Sequence, residues 1–513
     1  LEQFLEPDGP DRLRFRNSMI RDAAYEGLAY RLRAKLHAAA GRAVEKLSTD
    51  LEADADTLSL HYWRAGDDAK TWTYARMAGD RAAHAYANVE AATQYDRAWQ
   101  AAVDAGVSKE ERLALLSSSI QVQLDASMYR DAVTSCDRAI TLAGDDPILN
   151  SQFRLRRARV YSHQIRYNAC LRDVTRAEKA LEGLPRTVEV RRQLVEIASQ
   201  RASVRQNQYR LSEALSRAEA YVDEARELGQ TESLITGLMI IDVSRFQLGD
   251  PNIGANGREA LALARKEGLQ VTAGTMANLL GGLQMLTGDW AGAESLWRES
   301  YDLCLTIGNV AGAGQAALSL AELQYSRGDL DAAEHELAEA SRLLTSAGVS
   351  QPKHYADMLT ARVRLAQGHV EEAETRALAA GADLRDDSDG FAALEAAIVR
   401  AEAMTRLGRP AEALVWLEEQ EALSAEAATT LLPRLCQERS RATAALGDLD
   451  EAERLAVQGL DAAVEMGLIV ERYGLLVYRS ELAEQRGDTA LVAALGEETS
   501  TLADELGIVG HRA

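Results

Sequence analysis

Apolar residues recur at helical spacing along most of the chain, broken at regular intervals by a short polar turn. Leu318, Ala321 and Leu323 form one such stripe, and Leu337, Ala340 and Leu344 form the next. The break between stripes has a constant form. It reads Gly288-Asp289-Trp290-Ala291-Gly292-Ala293, then Gly328-Asp329-Leu330-Asp331-Ala332-Ala333. It returns as Gly368-His369, Gly408-Arg409, Gly447-Asp448 and Gly487-Asp488, at intervals of about 40 residues, a period of helical solenoids. Weaker copies run back through Gly249-Asp250 with Gly254, then Ala214, Cys170, Ala132 and Ala92. Glycine tolerates the left-handed conformation that closes one helix, and aspartate caps the next. The small residue five positions after the glycine lies where two helices approach closely.

This pattern predicts an all-α protein, a right-handed α-α superhelical solenoid of about eleven hairpins over residues 66–513. Each hairpin is expected to bury its apolar stripe only against its neighbours, leaving a long curved cradle lined by first helices. The eight prolines fit helix ends. Pro410 and Pro251 fall in turns, Pro352 and Pro433 near the starts of first helices, Pro147 and Pro185 between repeats, and Pro7 and Pro10 in an N-terminal loop. None is expected inside a helix.

The repeat marks resemble those of the tetratricopeptide repeat, with a unit longer than the standard 34 residues. In that respect they are similar to the long-helix sensor regions of maltose-type transcriptional activators and related signalling ATPases. The resemblance implies groove positions about three, six, ten and thirteen residues before each glycine. These are Thr236, Met239 and Phe246 before Gly249, Thr275 and Asn278 before Gly288, and Gln315, Leu318, Glu322 and Tyr325 before Gly328. Before Gly368 they are Tyr355, Met358 and Arg362. Mixed polar, aromatic and Met side chains on one surface suit a protein or peptide partner, or a small-molecule effector.

Residues 1–65 break the period. Arg12 to Arg16 alternates like a short strand, and two helices follow, over Ser18–Leu28 and Arg31–Leu47. The words Phe15-Arg16-Asn17, Ile20-Arg21-Asp22-Ala23-Ala24-Tyr25-Glu26-Gly27-Leu28 and His61-Tyr62-Trp63-Arg64-Ala65-Gly66-Asp67 resemble the junction in bacterial signal-transduction ATPases with tetratricopeptide-like sensors. There a winged-helix segment leads into the repeats, and many members carry a class III adenylate cyclase domain at the front. The resemblance implies a winged-helix-like remnant over residues 1–65, attached to an upstream ATPase or cyclase domain of the same polypeptide. The family usually has His where Asn17 stands. A plain cap on the first repeat is the alternative for this segment.

Composition narrows the chemistry. With 57 Lys+Arg against 79 Asp+Glu, the formal charge of -22 argues against direct binding of nucleic acid or anionic membrane. No apolar run is long enough to span a bilayer, and four scattered cysteines point to a reducing, cytoplasmic setting. No GxxxxGK[ST] phosphate loop, HExxH metal motif or GxSxG elbow is present. Gly308 to Gly314 lacks the lysine of a phosphate loop and reads as the start of a first helix, while Glu339 stands where an HExxH motif beginning at His335 would need its second His. Cys136, Cys170, Cys304 and Cys436 read as packing residues, the eight histidines as forming no ligand pair at useful spacing, and the acidic run at 386–389 as a solvated loop. No catalytic residue, metal site or cofactor is expected. One basic sector stands out, with Arg154, Arg157, Arg159, Arg191 and Arg192 among its members. Its first reading is a solvated Arg-rich helix face pairing with neighbouring acids, and the alternative is a site for an anionic partner or another region of the same protein.

The expected function is a non-catalytic sensor and interaction module regulating an attached signalling ATPase or cyclase. A freestanding scaffold and the sensor half of a transcriptional activator are the alternatives. A continuous reading frame encoding a phosphate loop upstream of Leu1 would separate the first from the second.

Overall fold

The computed structural model describes residues 4–7, 13–347, 351–383, 390–422 and 428–508. Pro10 and the acidic run at 386–389 lie outside the described residues. The chain divides into two compact units, Leu1–Gln164 and Ile165–Ala513. Its fold is an all-α solenoid of helical hairpins, with 25 helices and one two-stranded sheet among the described residues.

The first unit opens with strands β1 (Leu5–Pro7) and β2 (Leu13–Phe15), paired antiparallel with Leu5 opposite Phe15. Pro7 therefore ends a strand instead of lying in a loop, a position that needs no ladder donor. Helices α1 (Ser18–Glu26), α2 (Tyr30–Leu47) and α3 (Ala55–Ala65) follow. Then come α4 (Asp68–His84), α5 (Asn88–Ala102), α6 (Lys109–Asp125), α7 (Tyr129–Ala143) and α8 (Pro147–His163). Glu45 of α2 ties the entry helices together. It accepts hydrogen bonds from Tyr62 of α3 (2.6 Å) and from Tyr74 (2.5 Å) and Lys70 (2.6 Å) of α4. The Lys70 ammonium, helped by both phenols, holds the Glu45 carboxyl down at about 2.

The second unit contains α9 (Tyr167–Ala180), α10 (Val188–Asn207), α11 (Leu211–Glu227), α12 (Thr231–Gln247), α13 (Ala255–Lys266) and α14 (Gln270–Leu286). It continues with α15 (Trp290–Thr306), α16 (Val310–Ser326), α17 (Leu330–Ala347), α18 (Gln351–Ala366), α19 (Val370–Asp383) and α20 (Gly390–Arg406). The last helices are α21 (Pro410–Ala422), α22 (Ala428–Ala445), α23 (Leu449–Glu465), α24 (Ile469–Arg486) and α25 (Thr489–Leu506).

From α4 onward first and second helices alternate along the chain, and the turn after each first helix opens with a left-handed residue. That residue is Tyr86, Ser127, Ile165 or Tyr209 in the first four pairs, then Gly249, Gly288, Gly328, Gly368, Gly408, Gly447 and Gly487. Asp289, Asp448 and Asp488 cap the helices that follow by accepting from the third backbone N–H of each. Five residues past the turn, Ala132, Ala214, Ala293, Ala333, Ala373, Ala413 and Ala452 are fully buried between helices. In the α4–α5 pair that position is Ala91, one residue before the Ala92 mark read from sequence.

Pro433 departs from expectation. It lies inside α22, five residues after the first described residue of that helix, so the Thr429 carbonyl loses its helical donor. An internal proline costs about 3 kcal/mol in isolation. Tertiary packing holds the helix, with Leu431, Leu435 and Cys436 buried and the Pro433 carbonyl in close approach to Gly459.

The second unit also corrects the open cradle. Hairpins far apart in sequence meet. One apolar cluster joins Met285, Trp290 and Leu323 to Leu476, Leu495, Leu502 and Leu506, and another joins Phe246 and Leu283 to Met466, Leu468 and Leu475. The glycine turns make this possible. A methyl group on Gly288 would stand 3.1 Å from Ile469 Cδ1, and one on Gly249 would stand 3.3 Å from Met466 Cγ. The turns lack side chains where the C-terminal helices return.

Candidate functional site: an interior cavity of the second unit

Because α22–α25 come back to α12–α16, the concave side of these repeats encloses space. A cavity of about 410 Å³ is lined by first helices α12, α14, α16, α18, α20, α22 and α24, with Trp297 of α15. Phe246, Leu279, Met285, Leu286, Met358 and Leu468 give it an apolar side. Gly282 contributes open backbone, with no atom within 4 Å of where its Cβ would be. A smaller chamber of about 270 Å³ shares Arg362, Arg434, Val470 and Glu471 with the larger one and adds Tyr325, Glu402, Arg406, Glu438 and Arg441.

The shared wall is charged and mostly buried. Arg362 bonds Glu322 at 2.9 Å, lies 4.6 Å above the Tyr325 ring and stands 3.8 Å from Glu395. Arg434 bonds Glu395 at 2.6 Å. Arg441 bonds Glu402 at 2.9 Å and Glu438 at 3.1 Å. Burial raises the carboxyls of Glu438 and Glu471 above the usual carboxylate range, against the pull of Arg441 on the first and Arg434 on the second. Tyr325, Glu322 and Glu395 instead raise the Arg362 guanidinium, which stays charged despite its burial.

Of the residues the tetratricopeptide spacing placed in the groove, Phe246, Asn278, Gln315, Glu322, Tyr355 and Arg362 line the larger cavity, as do Leu318 and Met358. Tyr325 lines the smaller chamber. Thr236, Met239 and Thr275 line neither. Met239 is in the apolar core beside α13, and Thr236 and Thr275 bond carbonyls of their own helices, those of Glu232 and Val271. Sequence reasoning missed Glu395, Glu402, Arg434 and Arg441. The same spacing counted back from Gly408 and Gly447 reaches all four. Val470 and Glu471 lie in the first turn of α24, outside those positions, and only the return of that helix brings them in.

Other sequence candidates are placed as follows. Cys136, Cys170, Cys304 and Cys436 are buried, and burial pushes the Cys170 thiol up to about 12. Asn309 caps α16 by accepting from Gly312, so the glycine-rich stretch starts a helix. His335 and Glu336 face a more open cleft of about 500 Å³ between second helices α15 and α17, where Tyr301 and Arg342 both bond Glu339. His37 and His61 meet in the fold, with Nδ1 atoms 2.9 Å apart, and Tyr25 is 2.9 Å from His37 Nε2. No group of three or more His, Cys, Asp or Glu side chains is placed to hold a metal ion among the described residues.

In the basic sector, within the first unit, Arg154 bonds Asn150 at 2.6 Å and Arg157 pairs with Asp137. Arg159 is beside His163 and bears on its titration. Within the second unit, Arg191 spans Glu224 (2.9 Å) and Glu227 (3.1 Å), and Arg192 donates to the Leu228 carbonyl (3.3 Å). Among the described residues no helix is long and apolar enough to cross a membrane.

No protein-family model matches the chain, and no curated protein does. Among solved structures it is similar to the apo form of the quorum sensor NprR from B. thuringiensis, with 14% identity, 67% of this chain and 98% of that chain covered, and a TM-score of 0.45. It is also similar to a Rap protein complexed with Competence and Sporulation Factor, with 12% identity, 77% and 99% coverage and a TM-score of 0.42. A third likeness is a Signal Transduction ATPase with Numerous Domains protein with a tetratricopeptide repeat sensor from Pyrococcus horikoshii. There the identity is 14%, the coverage 82% of this chain and 56% of that one, and the TM-score 0.41.

Proposed function

We propose that this chain is a non-catalytic sensor and interaction module, taking a peptide or small effector in the interior cavity of its second unit. The observation that carries the reading is the cavity itself, walled by seven first helices and closed by the return of α24 and α25. Filling such a cavity stabilises the closed arrangement over an opened one, because the occupant adds contacts only where α12–α16 and α22–α24 are together. Occupancy then biases whatever is coupled to those helices. In the parent polypeptide that output is an attached signalling ATPase or class III cyclase, reached through a winged-helix-like segment at residues 1–65 and the repeats at 66–513.

Gly282 permits a direct test. A Cβ there meets no neighbouring side chain within 4 Å, so a leucine enters the cavity from an uncrowded start and gains helix propensity. Gly282→Leu should melt at or above the temperature of the parent chain. A ligand pool of short peptides and metabolites should stabilise the parent by several degrees and leave the variant unmoved. Equal stabilisation of both places the ligand elsewhere, and ATP turnover or cyclase activity by the chain itself overturns the non-catalytic reading.

A further inference from the structure

Hydrogen bonding on the charged wall is unbalanced in one direction. Five carboxylates and four guanidiniums line the two chambers. Every guanidinium is engaged, Arg406 with Glu402 (2.6 Å) and the Leu365 carbonyl (3.1 Å), and the other three with the carboxylates described above. Two carboxylate oxygens are not. Oε2 of Glu438, on a side chain only 6% exposed, and Oε2 of Glu471 are buried without a hydrogen-bond partner. Both side chains line the smaller chamber, and Glu471 lines the larger one too. A buried acceptor left unmatched costs about 1–3 kcal/mol, more when charged, so the wall favours an occupant that brings donors.

We propose that the cavity selects an organic cation, with a primary ammonium group against Glu438 and Glu471 and an apolar body in the larger chamber. The inference rests on the cavity being the ligand site. An ammonium carries three donors and a full charge, enough to serve both orphan oxygens. A bare metal ion fits less well, since no group of three or more His, Cys, Asp or Glu side chains is placed to hold one among the described residues. The apolar body follows from Phe246, Leu279, Met285, Leu286 and Leu468, which offer no polar side-chain group to an occupant.

The empty wall has a competitor for the cation, the proton. Glu438 is faced by Arg434 and Arg441 of its own helix, by Glu402 and Arg406 of α20, and by Tyr478 of α24. Glu471 is faced by Arg434 of α22, Arg362 of α18 and Glu322 of α16. Burial favours the neutral carboxylic acid at both, so cation binding displaces a proton and tightens as the pH rises.

The test is calorimetry on the full chain with hexylammonium, hexanol and hexanoate, followed by trileucine and N-acetyl-trileucine. Hexylammonium or trileucine should bind at least about tenfold more tightly than its neutral or anionic counterpart, a difference of about 1.4 kcal/mol. Binding at pH 7 should release protons, seen as a buffer-dependent heat. Glu438→Gln and Glu471→Gln should each erase the preference and leave the affinity for hexanol unchanged, with thermal melts confirming that both fold. Binding by hexylammonium alone identifies a small amine as the source of the charge. Binding by trileucine but not its acetylated form identifies a peptide amino terminus. If hexanol or hexanoate binds as well as hexylammonium, the cation inference fails and the cavity reading stands. If none of the probes binds, or if Gly282→Leu binds them equally, the cavity reading fails and the inference with it.

Discussion

The turns inside the first four helix pairs and those inside the last seven perform the same task with different residues. Tyr86, Ser127, Ile165 and Tyr209 adopt φ values of 57, 57, 60 and 54°, at the centre of the left-handed region. The seven glycines extend from 74° to 94°, to values that side chains rarely adopt. The later turns therefore differ in backbone conformation and are not simply the earlier ones with the side chain removed. The later turns at Gly249 and Gly288 also receive the returning C-terminal helices, which a side chain would obstruct. The earlier ones can use their side chains. The Tyr209 ring stacks on Phe391, with centroids 5.8 Å apart, and Phe391 lines the cavity. Glycine thus marks where the solenoid needs backbone freedom or empty space, and the fold tolerates other residues where it needs neither.

The turn between α12 and α13 is the first of the later group and should be the most sensitive point. It is longer, with Pro251 and Asn252 inserted, and it is held by a buried carboxylate. Asp242, 1% exposed, accepts from the Gly254 N–H (2.9 Å), the Gly257 N–H (2.7 Å) and the Asn256 side chain (2.7 Å). Asp242→Ala leaves two buried backbone donors without partners, at a cost of about 3 kcal/mol. Denaturant titration of the full chain should show that loss, and amide exchange should speed up first at residues 250–260. A loss below about 1 kcal/mol would mean that water replaces the carboxylate and the turn is not held from within.

A pair of substitutions sharpens the contrast between the two kinds of turn. Gly447, at φ 94° with nothing within 4 Å of where a methyl would stand, isolates the backbone cost. Gly447→Ala should destabilise by about 1–2 kcal/mol. Ile165 is β-branched in a left-handed position and should respond in the opposite sense. Ile165→Gly relieves about 1–2 kcal/mol of strain and returns about half of that as unfolded-state entropy, for a net gain of about 0.5–1 kcal/mol. Should both substitutions destabilise equally, the side chain of Ile165 contributes more than its backbone costs.

The same contrast explains what the sequence revealed. The repeat was plain from Gly288 onward because glycine and aspartate are diagnostic of a helix end, and it faded where Tyr, Ser or Ile took the turn position. A second series went unread: Gly106, Gly144, Gly183, Gly229, Gly268 and Gly308, all left-handed, close the second helices of the same repeats. With it the early repeats were as legible as the late ones. Groove positions such as Glu322 and Arg362 followed from counting within one repeat, which is local information. The closure of the second unit did not. Met466 and Ile469 look like ordinary apolar residues flanking a turn, and nothing within a repeat says that they meet the turns at Gly249 and Gly288, some 180–220 residues earlier. Pro433 illustrates the opposite error, a local rule overruled by packing around Leu435 and Cys436.

Two carboxylates give the smallest and most discriminating contrast, since Glu45 in the first unit and Glu438 in the second titrate in opposite directions. Glu45 in the first unit is held at about 2 against an ordinary 4.5, so its contribution is complete above pH 4.5 and is lost as the pH falls through the lower value. Glu438 in the second unit is raised, so its stabilising effect is complete below the ordinary carboxyl range and is lost as the pH rises through its folded value. Lys70 is 39% exposed, so solvent screens the Glu45 pair and its effect should stay under about 1 kcal/mol. Amide exchange by mass spectrometry at pH 7 and pH 3.5, corrected for intrinsic rates, separates the two. Relative to the rest of its own unit, protection of α2–α4 should fall in acid, while protection of α22 should hold or rise. Glu45→Gln should remove the first response and Glu438→Gln the second. A common fall in both regions, unchanged by either substitution, would show that acid acts through the overall charge of -22 and not through these two carboxyls.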